Sequence, residues 1–154
     1  LRADHRMPHQ LGLAGGKGWG TEEIYQGAET APYRADILFP GFLSNEEKNT
    51  LYQQADAFVF PSLYEGFGMP PLEAMAWDCP VVCSRAASLP EIVGDAAELV
   101  EPLDEADIAN GIWKVLSDGA YAARLVEKGH ARVKRFTWEA SADRLRQICR
   151  EVLA

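Results

Sequence analysis

The apolar positions of this chain fall first into short unbroken runs. Leu11-Gly12-Leu13-Ala14, Ile37-Leu38-Phe39, Ala57-Phe58-Val59-Phe60, Val81-Val82-Cys83 and Ala97-Glu98-Leu99-Val100 each last three or four residues. Most are apolar at successive rather than alternating positions, which predicts strands covered on both faces, as in a parallel sheet. Polar segments with helix signals separate them. Ser44-Asn45-Glu46-Glu47 and Ser88-Leu89-Pro90-Glu91 both match the capping box, in which Ser accepts from the backbone and Glu reaches back. Pro70-Pro71 opens a further helix, Leu72 to Trp77, with proline where a helix start has no need of its N–H. Strand alternating with helix predicts crossover units and an α/β fold built on a doubly wound parallel sheet.

After residue 103 the pattern is helical only. Asp104 is placed to cap a helix carrying Ile108, Ile112, Val115 and Leu116 on one face. A second helix is expected from about Tyr121 to Lys134. A third starts at Thr137 and repeats Trp138, Ala142, Leu145, Cys149 and Val152, a narrow stripe that must pack on something. Helices on both sheet faces would provide that, and so would a helix laid across to a second domain.

Composition narrows the class. The chain has 154 residues, 47% of them hydrophobic and 25% charged, and suits one globular domain. Fifteen Lys+Arg against 23 Asp+Glu give a net charge of −8. An acidic chain argues against nucleic acid as the partner, because phosphate neutralisation needs a basic face. Residues 61–100 hold only Arg85 against six acidic residues, while residues 101–154 hold nine of each sign. The cysteines Cys79, Cys83 and Cys149 show neither CxxC spacing nor an even count. A reducing, cytoplasmic compartment is therefore expected, with Cys83 read as a buried strand thiol. His5, His9 and His130 are scattered without ligand spacing, and no metal is expected. Residues 1–8 read as the tail of a helix, and the chain reads as cut from something longer.

The densest chemistry lies in Pro61-Ser62-Leu63-Tyr64-Glu65-Gly66-Phe67-Gly68-Met69-Pro70-Pro71-Leu72-Glu73, between a strand and a helix. Ligands of open α/β sheets bind outside the carboxyl ends of the strands. Gly66 and Gly68 allow the backbone to approach a ligand, and a helix start offers N–H groups to an anion. Pro70 and Pro71 have no N–H, which leaves Phe67, Gly68, Met69 and Leu72 as donors. Glu65 in the loop and Glu73 in the first helical turn make sense as acceptors for hydroxyls on either side of an anion, a sugar on one side and a ribose on the other. The plainer alternative is that Glu73 complements the helix dipole and Glu65 is solvated.

Other clusters are less specific. Gly15-Gly16-Lys17-Gly18-Trp19-Gly20 contains neither GxGxxG nor the Gly-Lys-Ser/Thr of a P-loop. It reads as a nucleotide-approach loop, with Gly16 and Lys17 as candidates to meet phosphate, or as a flexible turn with an exposed lysine. Tyr64, Phe67 and Trp77 read as core anchors or as a stacking platform. Arg124, Lys128, Arg132 and Arg135 read as a solvated helix face or as a contact to an anionic membrane surface.

Phe60-Pro-Ser-Leu-Tyr-Glu-Gly-Phe-Gly-Met-Pro-Pro-Leu-Glu-Ala-Met-Ala, Cys79-Pro-Val-Val-Cys-Ser and Ser88-Leu-Pro-Glu-Ile-Val-Gly-Asp-Ala-Ala together closely resemble the C-terminal half of retaining glycosyltransferases of the GT-B fold, group 1 (family 4). The family's mark is two glutamates separated by seven residues, here Glu65 and Glu73. The similarity runs from about Leu11 to Phe136. It implies a Rossmann-like half-domain, lacking its first strand-helix unit, that binds a nucleotide-sugar donor such as GDP-mannose or UDP-glucose. By resemblance, Glu65 is catalytic and contacts the hexose hydroxyls, and the backbone of Gly66, Phe67, Gly68, Met69 and Leu72 meets sugar and diphosphate. Glu73 holds the ribose, and the segment with Leu43, with Lys48 nearby, meets the base. The family needs no cofactor or metal, and this sequence has no DxD.

The resemblance also implies departures. The family's Gly-Arg segment and following Lys, which grip the diphosphate, have no counterpart here, and the N-terminal acceptor domain is expected to be missing. The chain alone is therefore expected to transfer little sugar. Competing readings are a non-catalytic sugar-nucleotide module and half of a GT-B epimerase. Peripheral membrane contact is an option for the parent protein.

Overall fold

The structure is a computed structural model that describes residues 5, 7–18 and 20–153. The reading of residues 1–8 as a helix tail and the position of Trp19 fall largely outside them. The chain divides into two compact units, Leu1–Thr50 and Leu51–Ala154.

In the first unit, strand β1 (Leu11–Ala14) pairs in parallel with β2 (Ile37–Gly41), Leu11 opposite Ile37 and Gly12 opposite Leu38. Helix α1 (Glu22–Thr30) makes the crossover between them. Tyr25 of α1 stacks on Phe39 of β2 with ring centroids 4.5 Å apart. A two-stranded pair crossed by one helix has one face to cover, and Leu11 and Leu38 stay about half exposed. Coverage on both faces, predicted from the unbroken runs, does not hold for these two strands. Helix α2 (Asn45–Gln54) starts with the predicted capping box. The Ser44 N–H and hydroxyl each donate to the Glu47 carboxylate at 2.8 Å, and the Glu47 N–H donates back to Ser44 Oγ at 3.2 Å. Those two donations hold the Glu47 carboxyl below its ordinary pKa.

In the second unit, β3 (Phe58–Phe60), β4 (Val81–Ser84) and β5 (Glu98–Val100) run parallel in that order. Every residue of β4 is buried, and its alternating side chains feed two separate cores. Val81 and Cys83 join Leu72 and Met75 of α3 (Met69–Ala76) and Leu89, Ile92 and Val93 of α4 (Leu89–Val93). Val82, with Val100 of β5, meets Val115 of α5 (Glu105–Ser117) and Leu125 of α6 (Gly119–Val133). Helices on both faces make this the predicted doubly wound arrangement. Among the described residues the strands lie in two parallel sheets, one of two strands and one of three. Apolar runs signal strands and parallel burial, but carry nothing about which strands share hydrogen bonds.

The C-terminal helices begin as read. Asp104 accepts from the N–H groups of Ala106 and Asp107 at 2.9 and 3.1 Å. Gly111 of α5 lies against β5, and a Cβ there would sit 2.5 Å from Val100 Cγ1. Helix α7 (Trp138–Leu153) buries none of its residues. Its apolar stripe stays exposed, Trp138 to 88% and Leu145 to 62%, rather than buried on a sheet face among the described residues.

Candidate functional site

The loop of residues 61–68 leaves the carboxyl end of β3 and runs into α3. Three serine hydroxyls fix its carbonyls. Ser84, buried at the end of β4, donates to the carbonyl of Ser62. The Ser62 hydroxyl donates to the Glu65 carboxylate at 3.0 Å and to the Tyr64 carbonyl at 3.2 Å. The Ser88 hydroxyl donates to the carbonyls of Glu65 and Phe67 at 2.9 and 2.8 Å. The predicted capping box at Ser88 is therefore absent: its side chain makes no cap bond to α4, because the hydroxyl is committed to the loop. None of these serine roles is visible in the local pattern. The available signal was Ser84, a polar residue closing the run Val81-Val82-Cys83.

Gly68 precedes α3 in the left-handed region at φ +109°, a conformation that favours glycine. A Cβ there would also meet Leu89 Cδ2 at 2.7 Å. No side chain caps α3. The helix starts at Met69, three residues before the predicted Leu72, because proline at the second and third positions is compatible with a first helical turn. This moves two site residues. Leu72 becomes the fourth helical residue, and its side chain lies in the core. Glu73 falls beyond the first turn, which holds no acidic residue. The dipole effect fades within one turn, so it gives no reason for a carboxylate at this position.

Glu65 and Glu73 are both half-buried, one on the loop and one on the helix it leads into. The Tyr52 hydroxyl donates to Glu73 Oε2 at 3.4 Å. Burial first, and the Glu73 charge second, push the Tyr52 phenol up to about 12, so it stays a proton donor at neutral pH. Its ring is held edge-on against Phe58, centroids 5.2 Å apart. Gly66 is exposed, with open space where a side chain would project. Phe67 and Met69 are exposed, and Phe67 meets Phe136 edge-on at 5.7 Å.

The remaining candidates resolve separately. Trp77 packs against the core beside Met75 and is an anchor, whereas Tyr64 is exposed. Leu43, Lys48, Gly16 and Lys17 belong to the first unit. There Lys17 places its ammonium 4.8 Å above the Tyr25 ring, and the Lys48 N–H makes the first bond of α2 to the Ser44 carbonyl. The basic stripe is partly spent on packing. Arg132 donates to the carbonyls of Glu91 and Ile92 at the end of α4, and Lys128 pairs with Asp95 at 2.8 Å. Among the described residues no three His, Cys, Asp or Glu side chains group as metal ligands. No helix among them is long and apolar enough to cross a membrane.

The model of the family described as glycosyl transferases group 1 matches residues 4–132. The chain belongs to that family. The chain is 40% identical over 139 residues to O-antigen chain mannosyltransferase B of Escherichia coli, a match covering 90% of the chain and 36% of that protein. Its fold matches a sucrose-phosphate synthase from Thermosynechococcus elongatus with a TM-score of 0.83 and 32% identity, over 98% of the chain and 40% of that structure. It also matches Anabaena HepE, solved in complex with UDP and glucose, with a TM-score of 0.80 and 23% identity over 92% of the chain and 40% of that structure. The α/β architecture is thus the GT-B half-domain type, and the chain spans well under half the length of these relatives.

Proposed function

We propose that this chain forms the nucleotide-sugar donor site of a retaining hexosyltransferase. The observation that carries the reading is the loop from β3 to α3. It presents Glu65, two glycines and an uncapped helix start in succession, and Glu73 follows one turn on with its carboxylate held by Tyr52. Identity to a mannosyltransferase favours GDP-mannose over UDP-glucose as the donor. The acceptor, a glycan or a lipid, binds to a domain outside these residues, in a longer cytoplasmic protein.

The chemistry follows from the groups present. Sugar transfer builds positive charge on the anomeric carbon and negative charge on the departing diphosphate. Glu65 hydrogen-bonds the hexose hydroxyls and stabilises the first charge. The N–H groups of Gly66 to Met69 and the amino end of α3 stabilise the second. Glu73 accepts from the ribose hydroxyls and fixes the leaving group. Neither carboxylate needs to attack, and no metal is needed to carry the phosphate charge.

Turnover of GDP-mannose and UDP-glucose by the full-length gene product tests the reading. Glu65→Gln keeps the shape and removes the charge, and is expected to lower kcat by about 100-fold or more, the scale for losing one transition-state contact. A rate near that of the unaltered enzyme sinks the role given to Glu65. The 154-residue chain alone is expected to show little transfer.

A further inference from the structure

Ser88 sits where a capping serine is expected, yet its hydroxyl turns away from its own helix. It shares one proton between the carbonyls of Glu65 and Phe67, at 2.9 and 2.8 Å. A hydroxyl has a single donor, so both carbonyls must point at the same oxygen. Among the described residues every peptide bond is trans, and in a trans peptide plane the carbonyl and the following N–H point in opposite directions. Fixing the Glu65 carbonyl on Ser88 therefore turns the Gly66 N–H away from Ser88. Fixing the Phe67 carbonyl does the same for the Gly68 N–H. Two alternate N–H groups are thereby both turned outward from one hydroxyl.

Two backbone features hold this arrangement. Gly68 has φ +109° and Ala87 has φ +50°. Alanine keeps a left-handed conformation only where its surroundings hold it there, and Ala87 is the residue that delivers Ser88 to the loop. From the next residue, Leu89, the side chain reaches the Cβ position of Gly68. The segment after β4 thus braces the loop after β3 through one hydroxyl and one apolar contact.

We propose that Ser88 is a positioning residue that aims the Gly66 and Gly68 N–H groups at the diphosphate of the nucleotide-sugar donor. This rests on the donor-site reading above. Ser88 touches no ligand itself. It acts by denying the two carbonyls any other orientation, because an inward flip of either would place a carbonyl oxygen against the phosphate charge.

Calorimetric titration of the full-length gene product with GDP and guanosine, and with UDP and uridine, separates the outcomes. The unaltered protein is expected to bind one diphosphate well above its nucleoside. Ser88→Ala should lower that diphosphate affinity by about three- to tenfold, the worth of a net hydrogen bond, with nucleoside affinity unmoved. Ser88→Thr, which keeps the hydroxyl, should restore it. The proposal is overturned if Ser88→Ala keeps the full diphosphate advantage, or if it weakens nucleoside and diphosphate alike, as a merely structural role would. If the unaltered protein binds neither diphosphate, the donor-site reading itself fails, and that result is distinct from either.

Discussion

At the scale of single residues, what was legible in the sequence depended on how local the partner is. The Ser44–Glu47 capping box forms as read because both partners lie within one turn. The same pattern at Ser88 fails because its hydroxyl finds carbonyls 21 and 23 residues away, beyond any local rule. Glu65 and Glu73 stood out as a spaced pair of acids, whereas Tyr52 beside Glu73 did not, since a buried tyrosine in a run of polar residues carries no mark of its partner. The cysteines give a direct check at this scale. Burial pushes the thiols of Cys79 and Cys83 up to about 12, while Cys149 is exposed. The thiolate is the reactive form, so one of the three cysteines should react with a thiol reagent at pH 8 in the folded protein. All three should react in denaturant. Fast reaction of more than one native thiol contradicts the burial of Cys79 and Cys83.

At the scale of elements, glycine positions separate packing from propensity. Gly111 lets α5 lie directly on the sheet, and a methyl there would overlap Val100 Cγ1 at 2.5 Å. Gly111→Ala is expected to cost about 1–3 kcal/mol, the usual range for overpacking a close contact. Gly27 lies mid-way along α1 with open space around its Cβ position. Gly27→Ala should stabilise by about 0.5–1 kcal/mol through helix propensity alone. Denaturant unfolding of both variants checks the pair: a stabilised Gly111→Ala would contradict the packing of α5, and a destabilised Gly27→Ala the open space on α1. Helix and strand identities were largely readable, because periodicity and caps are local. Helix α3 starts three residues before the expected Leu72, because the proline pair lies inside the first turn. That shift removes the dipole explanation for Glu73.

For the whole molecule, alternation of strand and helix was enough to give the α/β class and the parallel pairing. It could not give the division into a two-stranded and a three-stranded sheet, which depends on tertiary neighbours. Nor could it say what the stripe on α7 meets. Leu145 lies on that stripe and is 62% exposed. Leu145→Lys should shift the stability of the 154-residue chain by no more than about 0.5 kcal/mol, as for surface substitutions. A loss above about 2 kcal/mol, as for truncated core leucines, would show that the stripe is buried.

The central claim, that the loop from β3 to α3 cradles a nucleotide sugar between Glu65 and Glu73, is met most directly by amide-shift titration. The full-length gene product would be titrated with GDP-mannose and then with UDP-glucose. The account predicts saturable changes largest at Gly66, Phe67, Gly68, Met69 and Glu73 with one of the two donors. Saturable changes elsewhere with those five amides unmoved, or no saturable change with either donor, would contradict it.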